Sequence, residues 1–393
     1  MNFLRFHLFY IYYIFLHLSL TGSSFLQIGD AISLRLDSSV KYTNTSNVLK
    51  SQSNEKSDAF FSLSPGAVVT FGTAGTALDI NLRANYDFLE YRKYSDLDTE
   101  LLKVSLNGSY RPSLVLNTTF NYAYYEGQNA ISEYSVNVGG ADVLIETVTE
   151  SASFTTRYNY SPKLSFSLGA NLKDLSYDTY ANTLSSKKSV SIPFKLYYHY
   201  SEKLSIVYGV SITDTKIGER ISTTTSGYDT ESIYYNVGLR GDILPKLTGS
   251  FDIGYRTLSF STNTKDFNGL GVTSALTWRM TPKLKTLFKV SRDFDAAGSG
   301  STYRATTGNI SSIYSINSDY KLSLDYGHTL KFFRSDIVRG TDSRDETLDS
   351  FSLKLHYIPS ANYAVTAGYR YVESDAQQDY DLNEYELSAQ VRY

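Results

Sequence analysis

The chain has 393 residues, 40 acidic against 37 basic side chains, a formal net charge of -3, 35 tyrosines, 7 prolines and no cysteine. The missing cysteines exclude a disulfide framework and thiolate metal sites, and without a basic run there is no nucleic-acid partner to expect. After residue 20 no run of roughly 20 apolar residues remains, which excludes helical spanning of a membrane, while abundant Tyr, Phe, Val, Ile and Thr argue for β-structure over disorder.

The first 24 residues stand apart. Asn2 and Arg5 open a weakly basic segment, Leu8 to Leu20 is almost wholly apolar, and Gly22-Ser23-Ser24 supplies small residues before a cut after Ser24. That is the layout of a secretory signal peptide, with an uncleaved anchor as the alternative. Residues 25–393 then form one domain.

From residue 31 apolar residues recur at every second position. Leu78, Ile80, Leu82, Ala84, Tyr86 and Phe88 make one face, and Asp79, Asn81, Arg83, Asn85 and Asp87 the other. The same alternation runs through Leu164 to Leu172, Leu204 to Ile212 and Leu322 to Tyr326. Period two marks strands, and these reach the roughly 9 to 11 residues that cross a bilayer when tilted. Tight turns are expected at Thr73-Ala74-Gly75, Arg111-Pro112, Ser161-Pro162, Ser201-Glu202, Leu244-Pro245, Thr281-Pro282, Ser318-Asp319 and Pro359-Ser360. Longer polar segments lie between them, centred near residues 50, 95, 137, 182, 223, 265, 301, 341 and 377.

Lys163-Leu164-Ser165, Lys203-Leu204-Ser205 and Lys321-Leu322-Ser323 repeat a hairpin start, with weaker copies at Lys246-Leu247 and Lys283-Leu284. A propeller also repeats at such spacings, but its blades need four short strands, not two long ones with one apolar face. Eight turns and nine loops predict a transmembrane antiparallel β-barrel of about 18 strands. Sixteen is the alternative if the first hairpin, around residues 31 to 72, pairs differently, because Ser64-Pro65-Gly66 interrupts its second strand; a bulge is the other reading of that interruption. Closure satisfies every backbone group in lipid, so the apolar parity faces outward and the polar parity, including Gly169, Gly209, Gly238, Gly254, Gly327 and Gly368, lines a lumen. Missing side chains there would widen a pore or admit a loop.

The last strand alternates Tyr385, Leu387, Ala389, Val391 and Tyr393 with Glu386, Ser388, Gln390 and Arg392. It resembles the C-terminal targeting strand of outer-membrane proteins. The whole mature chain resembles Gram-negative outer-membrane β-barrel proteins, most closely the porin type with Pro-Lys-Leu turns and Tyr-rich strands. That resemblance implies an outer-membrane location and recognition of residues 385 to 393 by the barrel-assembly machinery. It also implies a porin or an export pore. Short turns on one side and long loops on the other predict periplasmic turns and termini, with outer-membrane lipid and lipopolysaccharide as surroundings.

No catalytic, cofactor or metal site is expected. Of the five histidines, His7 and His17 belong to the leader, His199 and His356 take the inner parity and His328 the outer. Arg83, Lys103, Arg157, Lys195, Arg240, Arg256, Arg279, Lys289, Lys354 and Arg370 are the candidate pore-lining bases, joined in parity by Lys173 and Lys331. A lining of that sign favours anions; mutually paired charges without selectivity are the alternative. Turn lysines 163, 203, 246, 283 and 321 are candidates for a ring at the mouth. The connection from Gly127 to Thr149 carries an apolar Val143-Leu144-Ile145, which either folds inward as a constriction or extends the flanking strands. Three functions fit: passive diffusion of small hydrophilic solutes with an anion lean, export of an exopolysaccharide or other polymer, or a structural or adhesive surface barrel.

Overall fold

Alternating sequences bury their backbone polarity only by pairing on both edges, and here each long strand pairs with its neighbours in sequence. The computed structural model describes residues 25–29, 31–72, 77–134, 143–219, 226–261, 266–333, 344–376 and 379–393. A short β1 (Leu26–Ile28) precedes β2 (Ile32–Thr45), β3 (Asp58–Phe71), β4 (Leu78–Tyr91), β5 (Thr99–Tyr110), β6 (Leu116–Ala130) and β7 (Leu144–Ser161). Then follow β8 (Leu164–Tyr177), β9 (Lys187–His199), β10 (Leu204–Ile217), β11 (Tyr228–Leu244), β12 (Leu247–Phe260) and β13 (Phe267–Arg279). The row ends with β14 (Leu284–Ala296), β15 (Thr302–Ser315), β16 (Tyr320–Phe333), β17 (Arg344–Ser360), β18 (Tyr363–Asp375) and β19 (Tyr380–Arg392).

The strands β2 to β19 form a closed antiparallel barrel, because β19 returns to β2 from Glu384↔Thr45 to Arg392↔Asp37. Closure leaves these strands no open edge except at the start of β2, which β19 does not reach. Eighteen strands therefore replace the sixteen-strand alternative. Pro65 does not break its strand: Ser38 pairs with Pro65 and Asp37 with Gly66 in unbroken register. On the other edge the ladder lapses only between Leu63↔Phe88 and Gly66↔Asn85, without a slip, where a proline has no N–H to give.

True register shifts lie at the turn end, at Asn159/Ser161, Asp242/Leu244 and Tyr357/Ser360. Each sits beside a proline, Pro162, Pro245 or Pro359, so the missing donor falls where a bulge has already relaxed the ladder. After Pro245, Lys246 takes φ +67°, a left-handed position that a turn of this kind demands.

The seam carries a strand that the alternation did not reveal. Leu36 and Tyr393 exchange both backbone hydrogen bonds at 2.7 Å, and beyond that point β19 has ended. There β1 takes the open edge of β2 through Leu26↔Leu34 and Ile28↔Ile32, with Phe25 edge-on to Tyr393 at 5.8 Å between ring centroids.

Register fixes two faces. Large apolar side chains such as Leu82, Phe194, Tyr208, Leu353 and Leu387 are exposed on the outer face, as a surface made for lipid requires. Tyr110, Tyr158, Tyr160, Tyr198, Tyr200 and Tyr357 girdle the turn end. Toward the loop end, outward tyrosines donate to carboxylates: Tyr86 to Glu100 at 2.7 Å, Tyr124 to Glu126 at 2.6 Å and Tyr326 to Asp349 at 2.8 Å. An amphipathic ring with its hydroxyl so engaged marks the border between hydrocarbon and water. Residues 1–24 and the expected turn at 73–75 lie outside the described residues, as do the loop centres near 137, 223, 265, 341 and 377.

Candidate functional site: the inner wall and its loop-end bridge

The inner parity is polar, and its long bases are mostly laid flat against neighbouring carboxylates. Arg83 pairs with Asp37, Lys103 with Asp87 and Arg240 with Asp252. Arg256 lies 2.9 Å from Asp293, Lys354 2.7 Å from Glu386 and Arg370 3.0 Å from Glu384. Lys331 and Arg344 both approach the buried Glu346, at 3.7 and 2.9 Å. The paired-charge alternative thus holds for much of the wall. It fails for Arg157, Lys195, Arg279 and Lys289, which the described residues leave without an ion pair.

Glycines make this flattening possible. A Cβ on Gly209 would run into the Asn236 amide, one on Gly238 into the Asp252 carboxylate, and one on Gly368 into Glu386. Gly209, Gly238 and Gly368 are therefore berths for adjacent polar side chains.

The Lys-Leu-Ser repeat has a counterpart inside. Ser165 Oγ lies 2.7 Å from His199 Nε2, and His199 Nδ1 lies 2.8 Å from Ser205 Oγ. His356 is bracketed likewise by Ser323 at 2.9 Å and Thr366 at 3.0 Å. Both ring nitrogens are thus engaged by hydroxyls, and Ser165 is fully buried, so this serine and histidine are not arranged for attack on a substrate. Among the described residues no group of three His, Asp or Glu side chains is placed to hold a metal. Two of the turn lysines are engaged by neighbouring turns: Lys246 Nζ donates to the Met280 carbonyl at 3.2 Å and Lys283 Nζ to that of Ile316 at 2.9 Å.

At the loop end the connections converge. Both placements of the Gly127 to Thr149 segment are realised in part: β6 and β7 lengthen to Ala130 and Leu144, and a 3₁₀ turn, Ile131–Tyr134, folds inward. Ile131 and Ile145 bury themselves with Tyr177 and Leu184, and Tyr134 meets Tyr177 edge-on at 5.4 Å. From nearly across the ring, Gly298 N donates to the Tyr134 carbonyl at 3.1 Å and Ser185 N to that of Gly298 at 2.8 Å. On the other flank Glu133 pairs with Lys50 of the β2–β3 connection. Burial, aided by the Arg370 guanidinium and opposed by Glu384, lowers the Lys50 ammonium to about 8. Below this bridge a cavity of about 470 Å³ opens between Lys41, Phe60, Asp325, Lys354, Arg370 and Glu384.

Lys50 and Glu133 were not legible as functional residues in the sequence. Only the Val143-Leu144-Ile145 run hinted that their neighbourhood is packed.

A family model described as putative beta-barrel porin 2 matches residues 34–393. The FrpB iron transporter of Neisseria meningitidis superposes with a TM-score of 0.50 at 10% identity, over 90% of this chain and 63% of that one. The outer-membrane channel DcaP of Acinetobacter baumannii gives a TM-score of 0.44 at 12% identity, over 94% of this chain and 100% of that one. The chain thus spans less than two thirds of the iron transporter's length, and at such identities the likeness concerns the fold alone. A search of curated sequences gave no match.

Proposed function

Because the chain belongs to the putative beta-barrel porin 2 family of outer-membrane barrels, we propose that it is a channel for passive diffusion of small hydrophilic solutes, with a lean toward anions. The observation that carries this reading is the hydrogen-bonded polar inner wall, on which Arg157, Lys195, Arg279 and Lys289 add positive charge that no ion pair among the described residues cancels. A barrel of this strand number encloses an aqueous lumen. The convergence of the 46–57, 131–134, 178–186 and 297–301 connections favours small solutes over a secreted polymer, which needs a wide unobstructed path. No catalytic role is assigned.

In the same reading the short turns and both termini face the periplasm, the loops face lipopolysaccharide, and Tyr385, Leu387, Ala389, Val391 and Tyr393 present the assembly machinery with an apolar, outward edge. Refolded protein in a planar bilayer is expected to give discrete conductance steps and a reversal potential on the anion side in a salt gradient. A silent bilayer with folded protein present removes the channel; a cation-side reversal removes the anion lean.

A further inference from the structure

Of the four bases without an ion pair among the described residues, Arg279 and Lys289 lie on β13 and β14, whereas Arg157 and Lys195 share one stretch of wall. Around most of the ring, inward bases meet carboxylates, but from β6 to β10 the inward parity holds no carboxylate at any described position. The acids of these strands, Glu126, Glu150, Asp174 and Asp214 among them, all take the outward parity. Acids from elsewhere reach only the loop end of the sector: Asp295 of β14 pairs with Lys187, Asp293 lines a cavity with Ser189 and Thr215, and Glu133 lines one with Lys173.

Within this sector Arg157 pairs in register with Ser167, and Ser167 with Lys195. The two bases therefore flank one serine in a single row, about 10 Å apart at Cα, two strand spacings. Side chains of that length are long enough for both to reach one oxyanion set over the serine. The Arg157 guanidinium lies 4.1 Å from the Tyr197 ring centroid, and its Nε is buried without a hydrogen-bond partner. Stacking holds the fork in one plane without consuming its donors. Toward the loop end the sector continues as Lys173 and a lattice of hydroxyls, with Ser191 3.0 Å from Ser211 and Ser189 3.0 Å from Thr215. Hydroxyls donate or accept as required, which suits a ligand carrying hydroxyls of its own.

The geometry points to an oxyanion-binding track on the β6 to β10 wall, centred on Arg157 and Lys195, that takes the carboxylate or phosphate of a small polyhydroxylated solute. It rests on the channel reading for transport but not for binding. Gluconate and glucose 6-phosphate serve as probes, with neutral glucose as reference. Either anion is expected to reduce the single-channel current at concentrations where glucose does not, and the stronger one identifies the preferred oxyanion.

The double variant Arg157→Gln/Lys195→Gln is expected to weaken this block by about tenfold or more, the loss of a charge-assisted contact. Lys354→Gln, on the ion-paired wall, leaves it within about twofold of the unaltered protein by the same scale. Retained block in the double variant, or equal loss in Lys354→Gln, overturns the track. Should the bilayer stay silent, calorimetric titration of refolded protein with the same probes decides: heat with gluconate or glucose 6-phosphate that the double variant loses sustains the track, and no heat with either sinks it. Retained heat-modifiable migration in gels certifies that the variants are folded.

Discussion

At the scale of single residues, the inner wall is tuned by what glycine leaves out. A Cβ on Gly254 would overlap the Tyr235 carbonyl oxygen and crowd the Asn236 Cα at 2.7 Å, which are backbone atoms of the adjoining strand. On Gly209 the obstacle is the end of the Asn236 side chain, which can turn away. Gly254→Ala is therefore expected to cost about 1–3 kcal/mol, the usual range for overpacking, and Gly209→Ala clearly less. Urea unfolding of the refolded barrels measures the difference, and equal midpoints contradict it. The same contrast explains why inward glycines were legible as a pattern but not as a purpose, since the pattern does not say which neighbour lies across the strand.

At the scale of elements, the 131–134 turn is held by two different forces. The apolar contact of Ile131 with Ile145, Tyr177 and Leu184 is dry and insensitive to pH. The Glu133 to Lys50 pair is not, because Lys50 carries its charge below about 8 and loses it as pH rises through that value. Between there and the ordinary lysine range the unfolded chain binds the extra proton, so the contribution of this group to stability rises with pH while the bridge itself weakens. With the intrinsic base-catalysed rise in exchange divided out, the protection factors of residues 46–57 and 131–134 should therefore fall between pH 7 and pH 9, and Lys50→Met should abolish that fall; an identical fall in that variant refutes the assignment. Ile131→Ala removes apolar contact worth about 2–5 kcal/mol at a fully buried site. It is expected to detach the turn and raise unitary conductance, whereas unchanged conductance argues that the turn does not narrow the path.

At the scale of the whole molecule, closure is what turns eighteen hairpin strands into a membrane protein, and the seam is where closure is decided. Tyr393 contributes both backbone bonds to Leu36 and a ring contact to Phe25, and β1 continues the edge where β19 stops. Deleting Tyr393 is expected to slow refolding into lipid vesicles and to lower the amount of folded barrel in the outer membrane, as followed by heat-modifiable migration. Wild-type yields for the truncated chain count against a seam role. Outer-membrane location follows from the family and the fold. The channel is the proposal that the wall supports.

The sequence by itself determined the period, the number of hairpins, the outward and inward faces and the alternation of turn and loop, because each of these depends on neighbours along the chain and on lipid rejecting polar groups. It placed the ten inner bases on one parity but could not say which of them are neutralised. Arg83 and Asp37 are 46 residues apart in sequence, and Arg256 and Asp293 sit on strands that do not adjoin. Ion pairing across strands is set by register and by curvature of the wall, which no local pattern encodes. The loop-end bridge was hidden for the same reason, since Lys50, Glu133 and Gly298 meet only after the barrel has closed and its connections have been bent over a common axis. Only the tertiary structure could separate the ion-paired wall from the carboxylate-free sector around Arg157 and Lys195.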